Sequence, residues 1–201
     1  MSPRVVPSCI SLRWTIVGLA ALLASAVGTG TAAIHPASAA SAPPSPCTLL
    51  TKAEVQAVIP GPLRNPMIMS NPLLSPPNGT ECDRISTVAA HRHRSAIFGV
   101  SVQLWDFRAQ GPVWIARWGT RAADYVRSIC RRPPTLPGLR LPVVHQVSRL
   151  GDYACGLEDT VIQMAKGPFF LRVSLGAGTQ NRQTRAVVTR LARKAIGRLR
   201  A

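Results

Sequence analysis

The sequence is short of acid. Only 8 Asp and Glu stand against 24 Lys and Arg in 201 residues, a formal charge of +16. Charged residues are nonetheless few, at 16%, while 46% are hydrophobic, which excludes disorder by composition. There is a single long apolar run, so a polytopic membrane protein is excluded. No fixed period recurs, which excludes a repeat array or collagen. C-x-x-C is missing and the histidines lie far from the cysteines, so a zinc site is not expected. G-x-S-x-G is missing as well, and no catalytic constellation is recognised. A cofactor is not expected either.

The apolar run has the layout of an address. Arg4 and Arg13 form a basic start, Trp14 to Val27 is apolar, and Ala37-Ser38-Ala39 and Ala40-Ser41-Ala42 are small-x-small sites. This order reads as a secretory signal peptide over residues 1–42, cut after Ala39 or Ala42. The competing reading is an uncleaved anchor, since Trp14 to Ala33 is long enough to span a bilayer. Cys47 follows Pro44-Ser45-Pro46, which does not suit lipid attachment, so the chain is not read as a lipoprotein. Residues 43–46 then form a linker, and 47–201 one extracellular domain, a size suited to a single core.

Cysteine parity agrees with export. Cleavage removes Cys9 and leaves Cys47, Cys82, Cys130 and Cys155. Outside the cytoplasm four cysteines point to two disulfides, with three possible pairings. Cys47 with Cys82 and Cys130 with Cys155 is the preferred set, because each closes a local loop within its own half. Loops of that length contribute roughly 3–4 kcal/mol each on the chain-entropy model.

Along the mature chain, Thr51 and Glu54 have capping-box spacing and start a short helix over about 52–58, stopped by Pro60-Gly61. Six prolines between 60 and 79 mark a long loop. Its apolar members (Leu63, Met67, Ile68, Met69, Leu73, Leu74) pack onto the core or line a groove. Residues 80–89 read as a strand, His91 to Arg94 as a basic turn, and Ile97 to Trp105 as the clearest alternating strand. Pro112 to Ile129 has helical spacing. Residues 143–149, 160–166 and 168–175 read as strands, with Lys166-Gly167-Pro168 turning the last pair. A final amphipathic helix covers about 181–199, with an apolar stripe through Val188, Leu191, Ala195 and Ile196 and arginine over most of the rest. The order predicts an α+β fold: a mostly antiparallel sheet packed against two longer helices and a short N-terminal one, with two disulfides.

Two segments carry a resemblance. Cys47-Thr48-Leu49-Leu50-Thr51, with Glu54 and Val55, is similar to the opening of a family of secreted actinobacterial domains of unknown function, often lipoproteins. Leu150-Gly151-Asp152-Tyr153-Ala154 resembles the family's later Leu-Gly-Asp-x-Ala segment. The resemblance spans about residues 47–200 and implies a compact extracellular α+β module, with ligand binding as a reasonable class. The lipid-attachment motif of the family is missing, and Cys130 with Cys155 looks like an added bridge.

Candidate chemistry is sparse. His91 and His93 alternate as metal ligands would, with His145 as a distant third, but Arg92 and Arg94 flank them and a basic turn is the plainer reading. Gly176-Ala177-Gly178-Thr179 lies between a strand and a helix, where backbone N–H groups cradle anions; Gly176, Gly178, Arg182 and Arg185 are the candidate anion-binding set. An ordinary capped turn is the alternative. Glu158 and Asp159 are neighbours and are expected to point apart. Trp105, Phe107, Trp114 and Trp118 seal a core or flank a site.

Without Arg4 and Arg13 the balance is 22 bases to 8 acids, net +14. The function expected is a secreted, non-catalytic binding or sensory module of the cell envelope. A basic protein bound to polyanion or to the membrane surface is the first alternative, an unrecognised hydrolase the second. The partner classes are an anionic envelope polymer, acidic lipid or an acidic protein; nucleic acid is set aside for an exported chain.

Overall fold

A computed structural model of the protein describes residues 42–69, 79–87, 97–133 and 141–199. The signal-peptide reading, Leu73, Leu74, His91 to Arg94 and the side chain of Trp118 lie outside the described residues.

Chain order begins with two short helices, α1 (Pro46–Leu49) and α2 (Lys52–Gln56). Strands β1 (Met67–Met69), β2 (Gly79–Ile85) and β3 (Ile97–Asp106) follow, then a 3-10 turn (Phe107–Ala109). Helices α3 (Pro112–Trp118) and α4 (Ala122–Arg131) lead to β4 (Val144–Gln146), β5 (Tyr153–Leu157), β6 (Val161–Lys166) and β7 (Phe169–Ala177). The last helix is α5 (Arg182–Arg198). The fold is α+β, and the seven strands form one sheet in the order β1-β2-β3-β7-β6-β5-β4, each pair antiparallel.

The local signals act as expected where they are strong. Thr51 Oγ1 accepts from Glu54 N at 3.2 Å, and Glu54 Oε2 accepts from Thr51 N at 2.9 Å, which closes the capping box of α2. Asn181 caps α5 in the same reciprocal manner with Thr184. Pro46 is the first residue of α1 rather than the last of a linker, because Ser45 caps that turn and proline tolerates the first helical position.

Three differences from the sequence reading have physical causes. The helix over 112–129 is two helices, because Gly119 has φ +81 and ends α3 in a conformation other residues avoid. The proline-rich loop contains β1, an exposed edge strand that adds to β2. Strand β5 was not expected. Its sequence, Tyr-Ala-Cys-Gly-Leu, lacks β-branched residues and is buried almost throughout, so no alternation marks it.

The sheet buries both faces. On one face Val102, Leu171, Val173 and Met164 pack against Val188, Leu191 and Ala195 of α5 and against Leu49 and Val55 of the short helices. On the other, Trp105, Phe107 and Phe170 pack against Tyr125, Val126 and Ile129 of α4. Each face has its own staple. Cys47–Cys82 (Cα–Cα 5.2 Å) ties α1 to β2 on the α5 side, and Cys130–Cys155 (6.1 Å) ties α4 to β5 on the opposite side.

Candidate functional site

The residues singled out in the sequence fall in several places. Gly176 sits in β7, where a Cβ would lie 2.6 Å from the Phe98 ring, so close packing accounts for the glycine. Gly178 follows at the turn into α5. There the Asn181 side chain accepts from Gln183 N at 2.9 Å and Thr184 N at 3.0 Å, so two of the first-turn donors are bonded within the helix. Arg185 donates to Asp159 at 2.6 Å. Arg182 is exposed and has no ion pair among the described residues.

Glu158 and Asp159 do point apart, as expected: Glu158 accepts from Val143 N at 3.0 Å while Asp159 meets Arg185. His145 lies across Gly156, whose Cβ would be 2.0 Å from its Nε2. Burial, reinforced by Arg185, holds its pKa below the usual imidazole value, against an opposing pull from Asp159. Among the described residues no three His, Cys, Asp or Glu side chains gather to hold a metal ion.

The Leu-Gly-Asp segment has a structural task. Leu150 is buried in the core. Gly151, at φ +69, passes so close to Ala165 that a Cβ would lie 2.1 Å from its carbonyl oxygen. Asp152 Oδ2 accepts from Gly167 N at 2.7 Å and so braces the β6–β7 turn. Gly167 itself takes φ +54 there, as the expected turn requires.

The carboxylates account for the surface. All eight have a partner inside the domain. Glu54 pairs with Arg198 and Lys194, Asp106 with Arg108, Asp124 with Arg121 and Arg127, and Asp159 with Arg185. Asp152 and Glu158 accept from backbone, and Glu81 and Asp83 share Ser101. No acid remains to pair with Arg182, Arg190 and Arg193 of α5. These three are exposed, lie on one side of the helix at spacings of eight and three residues, and are separated by exposed Ala186.

A second feature lies on the α4 side of the sheet, in register across four strands: Glu81, Gln103, Arg172 and Gln163 stand in one row. Asp83, Ser101 and Ser174 form the next row, and Trp105 and Phe170 the row on the other side. This polar floor runs up to the aromatic cluster, where Trp105 packs at 5.6 Å from Tyr125 and 4.5 Å from Phe170. Burial pushes the Tyr125 phenol up to about 12, with Arg172 and Arg117 pulling the other way. Burial also lowers the Arg172 guanidinium, and burial with the neighbouring Glu81 raises Asp83. Sequence reading missed this floor because its members come from four separate strands; the only local traces are Glu81-x-Asp83 and the Ser101-x-Gln103 alternation within strands.

Compared with protein-family models, with curated proteins and with solved structures, the chain matches none. Among the described residues no helix is long and apolar enough to cross a membrane.

Proposed function

We propose that the chain is an exported, non-catalytic binding module of the cell envelope, and that it docks on a linear phosphate-bearing polymer through the outer side of α5. The observation that carries this reading is the stripe of Arg182, Arg190 and Arg193, left without acidic partners when every carboxylate of the chain is spent internally. The three guanidinium groups span about 16 Å along the helix, at 1.5 Å per residue. Arginine is suited to phosphate because its planar fork donates in pairs. A bilayer is the weaker match: the apolar stripe of α5 is buried in the core, and its outer side offers only Ala186 and Gly197 between the arginines. The signal-peptide layout, the four paired cysteines and the resemblance to secreted actinobacterial domains support export. Among the described residues no arrangement of nucleophile, base and oxyanion donors supports the hydrolase alternative.

The test uses inorganic polyphosphate as the probe, with anionic and neutral vesicles as further arms. Affinity for polyphosphate should fall with salt, with a log–log slope on the order of −2 for three contacts. The triple change Arg182→Gln, Arg190→Gln, Arg193→Gln should remove most of that slope. The charge-matched triple Arg64→Gln, Arg131→Gln, Arg132→Gln should leave it nearly intact. Equal losses in both triples, or binding to anionic vesicles alone, would sink the reading.

A further inference from the structure

We infer that the polar floor beside the aromatic cluster binds a small carboxylate that also carries a hydroxyl or amino donor. The proposal is separate from polymer docking and shares no residue with it.

Three side chains make the case. Gln163 is 5% exposed and its Oε1 has no hydrogen-bond partner among the described residues. Trp105 is 4% exposed and its indole Nε1–H has none either. The Nε–H of Arg172 is shielded from solvent and also unpartnered, and among the described residues Arg172 makes no ion pair. A buried polar atom left unpaired carries the full cost of its desolvation, and a charged one more still. Native proteins rarely leave several together without use.

Register brings the three to one place. Gln163 and Arg172 are direct cross-strand partners, and Trp105 stands one row on, beside Phe170 and diagonal to Arg172. All three lie on the α4 face, where Tyr125 packs on Trp105 and Phe170 and interacts electrostatically with Arg172. Although Gln163 Oε1 and Arg172 Nε are an acceptor and a donor on facing positions, they do not bond each other. Two donors and one acceptor therefore stand unpartnered at neighbouring positions of one sheet face.

The chemistry of the ligand follows from that set. Two N–H donors, one on a cation, call for an anion with two acceptor oxygens, and a carboxylate is the smallest planar one. The Gln163 oxygen calls for a donor on the same molecule. Glu81, the nearest acid along the row, is two strands from Arg172 and accepts from Ser101; it acts on the guanidinium electrostatically but forms no ion pair with it. The aromatic wall limits size, with Trp105, Tyr125 and Phe170 in mutual contact.

The test uses the mature chain with glycolate and glycine as probes. Acetate, which lacks the donor, and ethylene glycol, which lacks the charge, are the comparisons. Saturation-transfer NMR and thermal shift should show glycolate or glycine binding at least about tenfold tighter than acetate, and ethylene glycol not at all. Gln163→Glu sets a carboxylate beside Arg172, so the chain supplies its own ligand: the melting temperature should rise and binding should vanish. Trp105→Phe keeps the ring and removes the N–H, and should weaken glycolate severalfold in a folded protein. Failure of every probe to bind the wild-type chain would overturn the inference. So would acetate as tight as glycolate, or binding unchanged in a folded Gln163→Glu variant.

Discussion

Arg198 grips Glu54 across 144 positions of sequence. Its Nη1 and Nη2 lie 2.7 and 2.8 Å from the two carboxylate oxygens, and Nη1 also donates to the Leu49 carbonyl at 2.7 Å. One guanidinium thus fastens α5 to both short N-terminal helices. The bidentate geometry is the stronger kind of ion pair.

This pairing makes stability acid-sensitive. Arg198, and to a lesser degree the Thr51 backbone and Lys194, hold the Glu54 carboxyl well below the usual range against an opposing burial effect. A depressed folded pKa contributes stability above the unfolded value, about 4.3, and loses it as pH falls below that toward the folded value. Urea unfolding between pH 7 and pH 3 should show this loss, and Glu54→Gln should flatten it. At neutral pH the same variant should lower stability by about 1–3 kcal/mol, since it keeps an acceptor for Thr51 N but removes the charge that Arg198 and Lys194 pair with.

At the alkaline end the group to watch is Tyr125, whose phenol is raised by burial to about 12. A raised folded pKa contributes stability that is complete below the unfolded value near 10 and is lost as pH climbs through 12. Thermal unfolding should therefore decline in that window, and Tyr125→Phe should remove this part of the decline. An unchanged alkaline limb in the variant would mean that other groups set it.

Gly151→Ala should be among the most harmful single-methyl additions to the domain. The new Cβ would lie 2.1 Å from the Ala165 carbonyl oxygen, on a residue whose φ is +69. Strain and displacement of β6 should cost at least about 2 kcal/mol. Gly119→Ala is the comparison: its φ is +81, but nothing lies within 4 Å of its Cβ position, so only the backbone term applies and about 1 kcal/mol is expected. Equal denaturation midpoints for the two would contradict the packing argument.

The disulfides separate by half. Each should contribute about 3 kcal/mol, and intact mass before and after reduction should differ by the hydrogens of two bridges. Double Cys→Ala variants, one bridge at a time, should unfold at lower urea without changing the other bridge.

What was legible in the sequence is local. The Thr51–Glu54 box, the alternation from Ile97 to Trp105 and the apolar stripe through Val188, Leu191 and Ala195 each sit within one element, and each appears as read. The cysteine pairs were legible because their loops are short. The insertion of β7 between β3 and β6 was not, since strand order depends on contacts between distant segments. β5 was hidden by its composition, and the break at Gly119 by apolar spacing that continues through it. The polar floor has no motif at all, because Gln103, Arg172 and Gln163 are neighbours only after the sheet is assembled.

The two bridges fasten α1 and α4 to opposite sides of the sheet, and neither touches α5. The helix that covers most of one face is thus kept in place without a covalent tie, by packing, by the ion pairs of Arg185 with Asp159 and of Lys194 and Arg198 with Glu54, and by the bonds of Lys166 to its final carbonyls. The two covalent ties therefore restrain the opposite layers of the domain and leave the contribution of α5 to non-covalent contacts, so that reduction and acid should weaken different parts of the same fold.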